Sequence, residues 1–294
     1  MDLRGEHLHK IRKILHDLNE LVMFKHSVFS LPFIFIAMIV AAHGWFGWRL
    51  FVLGILAAVT ARNFAMGYNR YADIDIDKAN PRTANRPSVD GRLKKETILF
   101  FTIANAVGFV VVAYLINMLA FWLSFPILVI LGGYSLMKRI SPMAHLVLGL
   151  SLGLAPIAGV VAVKAEITMW SVMLSVGVMF WVAGFDLLYS LQDMEYDKKV
   201  KLHSIPSQYG AKCTLFLSKI FHSLTILFWL FFTIESTSGW LTYVAVSVSG
   251  IILYLEHRIV NKDFSKIDKA FFTLNGYLGI ISVSYTHLTL PTKA

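Results

Sequence analysis

Nine times along 294 residues the chain turns apolar for about the length of a helix that crosses a bilayer. The runs fall at 22–42, 49–69, 97–117, 119–137, 145–164, 171–192, 214–234, 240–257 and 269–283. About 20 helical residues cover a hydrocarbon layer of about 30 Å. Only the last run, of 15 residues, falls short, and its helix is read as truncated. Strands are excluded because a barrel shows alternating segments of about 10 residues. Pro32, Pro126 and Pro156 sit inside runs, where neighbouring helices absorb a kink. The expected fold is all-α and polytopic: nine transmembrane helices bundled around a central cavity. Composition agrees. The chain is 56% apolar and 15% charged, against about 45–50% and about 25% in soluble domains. That excludes a soluble enzyme and a disordered chain, and a single cysteine, Cys213, excludes a disulfide scaffold.

The positive charge is sorted by loop. Of 27 Lys and Arg residues, 22 lie in the N-terminal segment or after the second, fourth, sixth and eighth runs. The opposite loops hold only Arg49 and Lys164. Cytoplasmic loops carry the positive excess, so the N-terminus and the long loops are expected in the cytoplasm of a bacterial-type plasma membrane. The net charge of +9 is therefore read as topology facing lipid, and no nucleic-acid partner is expected. Residues 1–283 are read as one domain. Residues 284–294, polar and β-branched with Pro291, are read as a non-native tail.

Two of these loops gather acidic residues. Asn69, Asp73 and Asp77 follow at i, i+4 and i+8, on one face if the second helix continues. Asp186, Tyr189, Asp193 and Asp197 share a face in the same way. Asp73 and Asp193 are 120 residues apart, and so are Asp77 and Asp197. This implies an internal duplication presenting two carboxylate pairs to one cavity. Four like charges in one place repel unless a cation sits between them. Carboxylate oxygens suit Mg²⁺, which keeps waters and bridges to phosphate oxygens. Arg82 and Arg86 follow the first set and Lys199 and Lys201 the second, so metal ligands and anion ligands together describe a diphosphate site.

These residues resemble the UbiA superfamily of intramembrane prenyltransferases, and within it the 4-hydroxybenzoate polyprenyltransferases. The first family motif matches Asn69, Asp73 and Asp77 and continues into Arg82-Thr83-Ala84-Asn85-Arg86-Pro87; an Arg seven residues upstream matches Arg62. The second matches Asp186, Tyr189, Asp193, Asp197, Lys199 and Ser204, and a weaker third covers Tyr134 to Arg139. The family commonly has Asp after the Asn, where this chain has Arg70. With Phe24-Lys25-His26-Ser27 and His203-Ser204-Ile205-Pro206, that departure resembles a branch that prenylates 1,4-dihydroxy-6-naphthoate.

The resemblance implies transfer from a polyprenyl diphosphate to an aromatic acid. Asp73, Asp77, Asp193 and Asp197 would hold Mg²⁺, and Arg82, Arg86, Lys138 and Lys199 the diphosphate. Asn69, Asp73 and Asp193 would carry catalytic roles, and Arg62, Asn69 and Tyr189 would meet the acceptor, with Asp186 in support. Arg62 either binds the acceptor carboxylate or pairs with Asp186. The competing class is a transporter, which also uses repeats and intramembrane acids but sets its site at the midplane.

Overall fold

The computed structural model describes residues 3–22, 31–236 and 239–262, together with Ile267, Asn275 and Leu278. In chain order the helices are α1 (Leu3–Leu21), α2 (Leu31–Ala42), α3 (Trp48–Ala72), α4 (Ile74–Ala79) and α5 (Lys95–Ile116). They continue with α6 (Met118–Met137), α7 (Ala144–Lys164), α8 (Met169–Ser190), α9 (Met194–Lys199), α10 (Ile205–Glu235) and α11 (Trp240–Lys262). Short 3₁₀ turns cover Pro81–Thr83 and Leu191–Asp193.

The protein is an all-α polytopic membrane protein. Among the described residues seven helices are long and apolar enough to cross a membrane, against the nine expected. Within the first expected span the described helix is Leu31–Ala42, which by itself is too short to count. Twelve residues rise about 18 Å, well under the hydrocarbon thickness. Its beginning, with Lys25 and His26, and nearly all of the ninth span and the 284–294 tail lie outside the described residues. Of the ninth span, helical Asn275 accepts from Trp181 Nε1 at 2.8 Å and donates to Glu256 Oε1 at 2.9 Å, which joins that segment to the bundle.

Local chemistry sets the helix starts. Asn117 and Thr168 accept from backbone N–H groups at the heads of α6 and α8. A reciprocal capping box between Ser204 and Ser207, with Pro206 in the first turn, starts α10 nine residues before its apolar run. Pro126 and Pro156 lie within α6 and α7, as expected.

The core is built on α8, which packs between α7 and α10. Trp181, Val182 and Ala183 on it are wholly buried. Gly149 of α7 lets the helices touch: a Cβ there would stand 2.3 Å from the Met179 carbonyl oxygen of α8. Outward faces stay apolar, with Phe100, Val107, Trp122 and Val129 among the exposed side chains, as lipid contact requires. Exposed Trp45, Trp48, Trp122 and Trp240 ring the end of the bundle opposite the acidic loops, where an aromatic belt belongs.

Candidate active site

The two acidic segments have the same local structure. α3 ends at Ala72, Asp73 takes φ −99° and ψ 11°, and α4 begins at Ile74. α8 gives way to a 3₁₀ turn, Asp193 takes φ −95° and ψ 0°, and α9 begins at Met194. The sequence had each acidic set on one unbroken helical face. Instead, both helices bend at the first aspartate of the pair, because its ψ moves out of the α range into the sparsely populated bridge region. At the first of these the backbone hydrogen-bond path continues: Asp73 N–H still donates to Asn69 O at 2.9 Å, and Asp77 N–H to Asp73 O at 2.8 Å. The short helices Ile74–Ala79 and Met194–Lys199 lie 120 positions apart end for end. They also touch at equivalent positions, since the Tyr196 hydroxyl donates to the Ile76 carbonyl at 3.0 Å. Contact between equivalent residues is what a local twofold relation between repeats produces.

Both segments open on one cavity of about 290 Å³. Asn69, Asp73, Asp77, Asp193 and Asp197 line it, as do Arg86, Lys138, Arg62, Asp186 and Tyr189. Lys199 does not: it is exposed on the last turn of α9, facing water. The Arg82 side chain lies outside the described residues. Asp77 is nearly buried and is clasped by Arg86 Nη1 at 2.7 Å to each oxygen, with Arg70 Nη1 3.8 Å away. Asp73 accepts from Asn69 Nδ2 at 3.0 Å, and Arg139 Nη2 lies 3.5 Å from its other oxygen. The Ser204 hydroxyl donates to Asp197 Oδ2 at 2.8 Å.

Charge in this cavity is balanced between its acids and a few buried cations. Burial pushes the Asp73 carboxyl above the usual range; Lys138 opposes the shift and Asp77 adds to it. Burial works against the Lys138 ammonium, but Tyr134, Asp186, Asp197 and Asp73 outweigh it and hold it above the ordinary lysine range. Lys138 therefore remains a fixed cation. Its backbone carbonyl accepts from His203 N–H at 2.9 Å, which ties the α6–α7 loop to the loop after α9.

Two arrangements were not foreseen. Arg62 and Asp186 form no ion pair among the described residues; Asp186 Oδ2 instead lies 2.7 Å from His145 Nδ1. Arg62 Nε is buried and meets no hydrogen-bond partner. Arg70 and His145 both line the cavity, and the sequence assigned neither a role. Each is a titratable side chain at the polar end of an apolar span, and that position is the signal that marks them.

The donor set suits a hard divalent cation, being carboxylate oxygens with the amide of Asn69 and the hydroxyl of Ser204 alongside. It is not a closed cage. Among the described residues only His16, Asp17 and Glu20 bring three candidate ligand atoms within 4.8 Å of one another. There Arg92 already supplies the positive charge, 2.6 Å from Glu20, 2.7 Å from Asp90 and 3.4 Å from Asp17. The four aspartates fit an ion that takes two or so protein ligands and completes its shell with water and phosphate oxygens, which is the habit of Mg²⁺.

A second cavity, of about 270 Å³, sits farther from the acidic end on the same helices. Ala57 on α3, Ile130 on α6 and Leu154 on α7 line it, beside Arg62, Tyr134 and Leu152 of the polar cavity. Its lining is apolar throughout.

The sequence model of the UbiA prenyltransferase family matches residues 30–278. The chain belongs to the UbiA prenyltransferase family. It is an intramembrane prenyltransferase related to the 4-hydroxybenzoate octaprenyltransferases. The enzyme of that name from Vibrio vulnificus is 27% identical over 249 residues, covering 83% of this chain and 86% of the relative. The one from Serratia proteamaculans is 26% identical over 215 residues, covering 72% and 73%. Among solved structures, a UbiA homolog from Aeropyrum pernix K1 in its apo form is 29% identical, with a TM-score of 0.81 over 90% of this chain and 98% of that one. The Archaeoglobus fulgidus UbiA homolog bound to DMAPP and Mg²⁺ shares the fold, with a TM-score of 0.77 at 18% identity over 94% of this chain and 99% of that one. In this UbiA protein the two acidic segments are the parts of the fold that face each other across the polar cavity.

Proposed function

We propose that this protein transfers a polyprenyl group from polyprenyl diphosphate to 4-hydroxybenzoate, as one step in making a quinone. The observation that carries the reading is the meeting of two repeat-related aspartate pairs in one cavity, with an apolar chamber below it on the same helices. Residues 1–283 are read as one functional unit, of which 30–278 match the family model, with the cavity on the cytoplasmic side of a bacterial plasma membrane.

In this reading Asp73, Asp77, Asp193 and Asp197 hold Mg²⁺, which when bound supplies positive charge to the departing diphosphate. Arg86 and Lys138 place two further cations against the same leaving group, and Arg82 and Lys199, which follow the two aspartate pairs in sequence, would add positive charge to the approach. The apolar chamber takes the first part of the prenyl tail and keeps water from the allylic cation that forms when the C–O bond breaks. Arg62, its Nε buried and unpartnered, takes the acceptor carboxylate. Asn69, fixed to Asp73, and Tyr189 orient the ring.

A second acceptor is supported by Arg70, which stands in the first motif where the family commonly has Asp and lies beside Asp77. That departure, with Phe24-Lys25-His26-Ser27 and His203-Ser204-Ile205-Pro206, resembles the branch that prenylates 1,4-dihydroxy-6-naphthoate, which is that second acceptor. A transporter is disfavoured because the carboxylates gather at one end of the bundle.

The test uses purified protein in liposomes with Mg²⁺, a labelled polyprenyl diphosphate and each acceptor in turn. Prenylated 4-hydroxybenzoate, identified by mass, is the expected product. Product with the naphthoate alone overturns the choice of acceptor. Solute flux with no covalent product overturns the whole reading.

A further inference from the structure

Prenylating an aromatic carbon leaves a proton on that carbon, and the ring regains its aromaticity only when a base removes it. None of the groups assigned so far is suited to this: the aspartates are committed to cation and arginine, and Arg86 and Lys138 carry no lone pair while charged. Among the described residues the polar cavity is lined by one imidazole. His145, at the start of α7, is 1% exposed and lines the cavity. Its Nδ1 lies 2.7 Å from Asp186 Oδ2 on α8, and its Nε2 is buried without a hydrogen-bond partner.

A carboxylate accepts only, so Nδ1 carries a hydrogen and donates to Asp186; in the neutral ring this tautomer places the lone pair on Nε2. This is how a carboxylate orients a histidine that acts as a general base and stabilises the imidazolium it becomes. The charged groups sharing the cavity are Arg62, Arg70 and Asp73 with Asp77 and Arg86 from the first acidic segment and its flanks, Lys138 from the end of α6, Asp186 from α8, and Asp193 and Asp197 from the second acidic segment.

We propose that His145 is the base that takes the ring proton, with Asp186 as its positioning residue. The inference rests on the reading that the cavity prenylates an aromatic acid. In the step, the ring π electrons form the bond to C1 of the prenyl cation after the C–O pair has left with diphosphate. The C–H pair then returns to the ring, and the proton moves to His145 Nε2. The sum is prenylated acid, diphosphate and one proton, with no further reactant.

The experiment compares the parent with His145→Gln and Asp186→Asn, using 4-hydroxybenzoate deuterated at the ring position that is attacked. Glutamine keeps a hydrogen bond to Asp186 and cannot take a proton. His145→Gln is expected to lower kcat by about 100-fold or more, the usual scale for a general base. Both KM values should stay close to those of the parent. The deuterated acceptor should then react measurably slower than the light one in the variant and equally fast in the parent. Asp186→Asn should show the same isotope effect with a smaller loss, and it carries the test if His145→Gln does not fold. A kcat equal to the parent's, or a slower variant without an isotope effect, overturns the role of His145. Failure of the parent to prenylate any aromatic acid overturns the reading beneath it, a result distinct from either.

Discussion

Arg62 shows how much a single side chain in this membrane protein can be asked to do. A guanidinium within an apolar span is costly unless something answers its charge. The sequence offered two answers, and the structure gives Asp186 to His145 while Arg62 Nε stays buried without a partner. On the function proposed above, its task is to meet a carboxylate brought in from outside. Arg62→Ala is expected to raise the acceptor KM by about 10- to 100-fold, the range for losing a charged hydrogen bond, with the donor KM nearly unchanged. Steady-state kinetics with each substrate varied in turn checks the split, and equal effects on both would return Arg62 to a structural part. The aspartates, by contrast, could be read from the chain, because their spacing is local and repeats after 120 positions. His145 and Arg70 could not. The partner of His145 is 41 residues away, and Arg70 reaches back to the Leu21 carbonyl 49 residues away, so only the packed helices bring these pairs together.

Helix packing fixes where those side chains stand. Gly149 lies one turn beyond His145 on α7, and the α8 backbone at Met179 presses against it. The packing that buries this glycine therefore also sets the His145–Asp186 contact. Gly149→Ala would put a methyl 2.3 Å from a carbonyl oxygen that cannot rotate away. Forcing the two helices apart is expected to cost about 1–3 kcal/mol and to lower activity with it. Gly133→Ala, where a Cβ meets nothing within 4 Å, is expected to leave both unchanged or to gain slightly in stability. Thermal unfolding in detergent, read beside turnover, checks the pair. Helix existence was readable from apolar length, whereas the bends at Asp73 and Asp193 were not. The first comes with a ψ of 11° at one residue that leaves the hydrogen-bond path almost continuous, and the second with a three-residue 3₁₀ turn, and no composition marks either. The early start of α10 was missed because its first turn is polar and held by a capping box, which a search for apolar runs passes over.

At the scale of the whole molecule, the polar cavity, the loop tether and the cations that line the cavity lie towards one end of the bundle, and four exposed tryptophans mark the other. The sorting of positive charge is the basis for proposing that the acidic end faces the cytoplasm. In a Cys213→Ser background, Glu166→Cys should react with a membrane-impermeant thiol reagent in intact cells. Lys94→Cys should react only after the membrane is opened; the reverse pattern would turn the protein over. The account depends most on the two acidic segments acting together on a metal-bound diphosphate. Equilibrium binding of an unreactive prenyl thiodiphosphate tests this directly, with and without Mg²⁺, on the parent and on Asp73→Asn and Asp193→Asn. The account predicts binding that needs Mg²⁺ and that weakens by about 10-fold or more in each variant, since each removes a charge from one half of the repeat. Binding of equal strength without the ion, or undiminished in both variants, would contradict it.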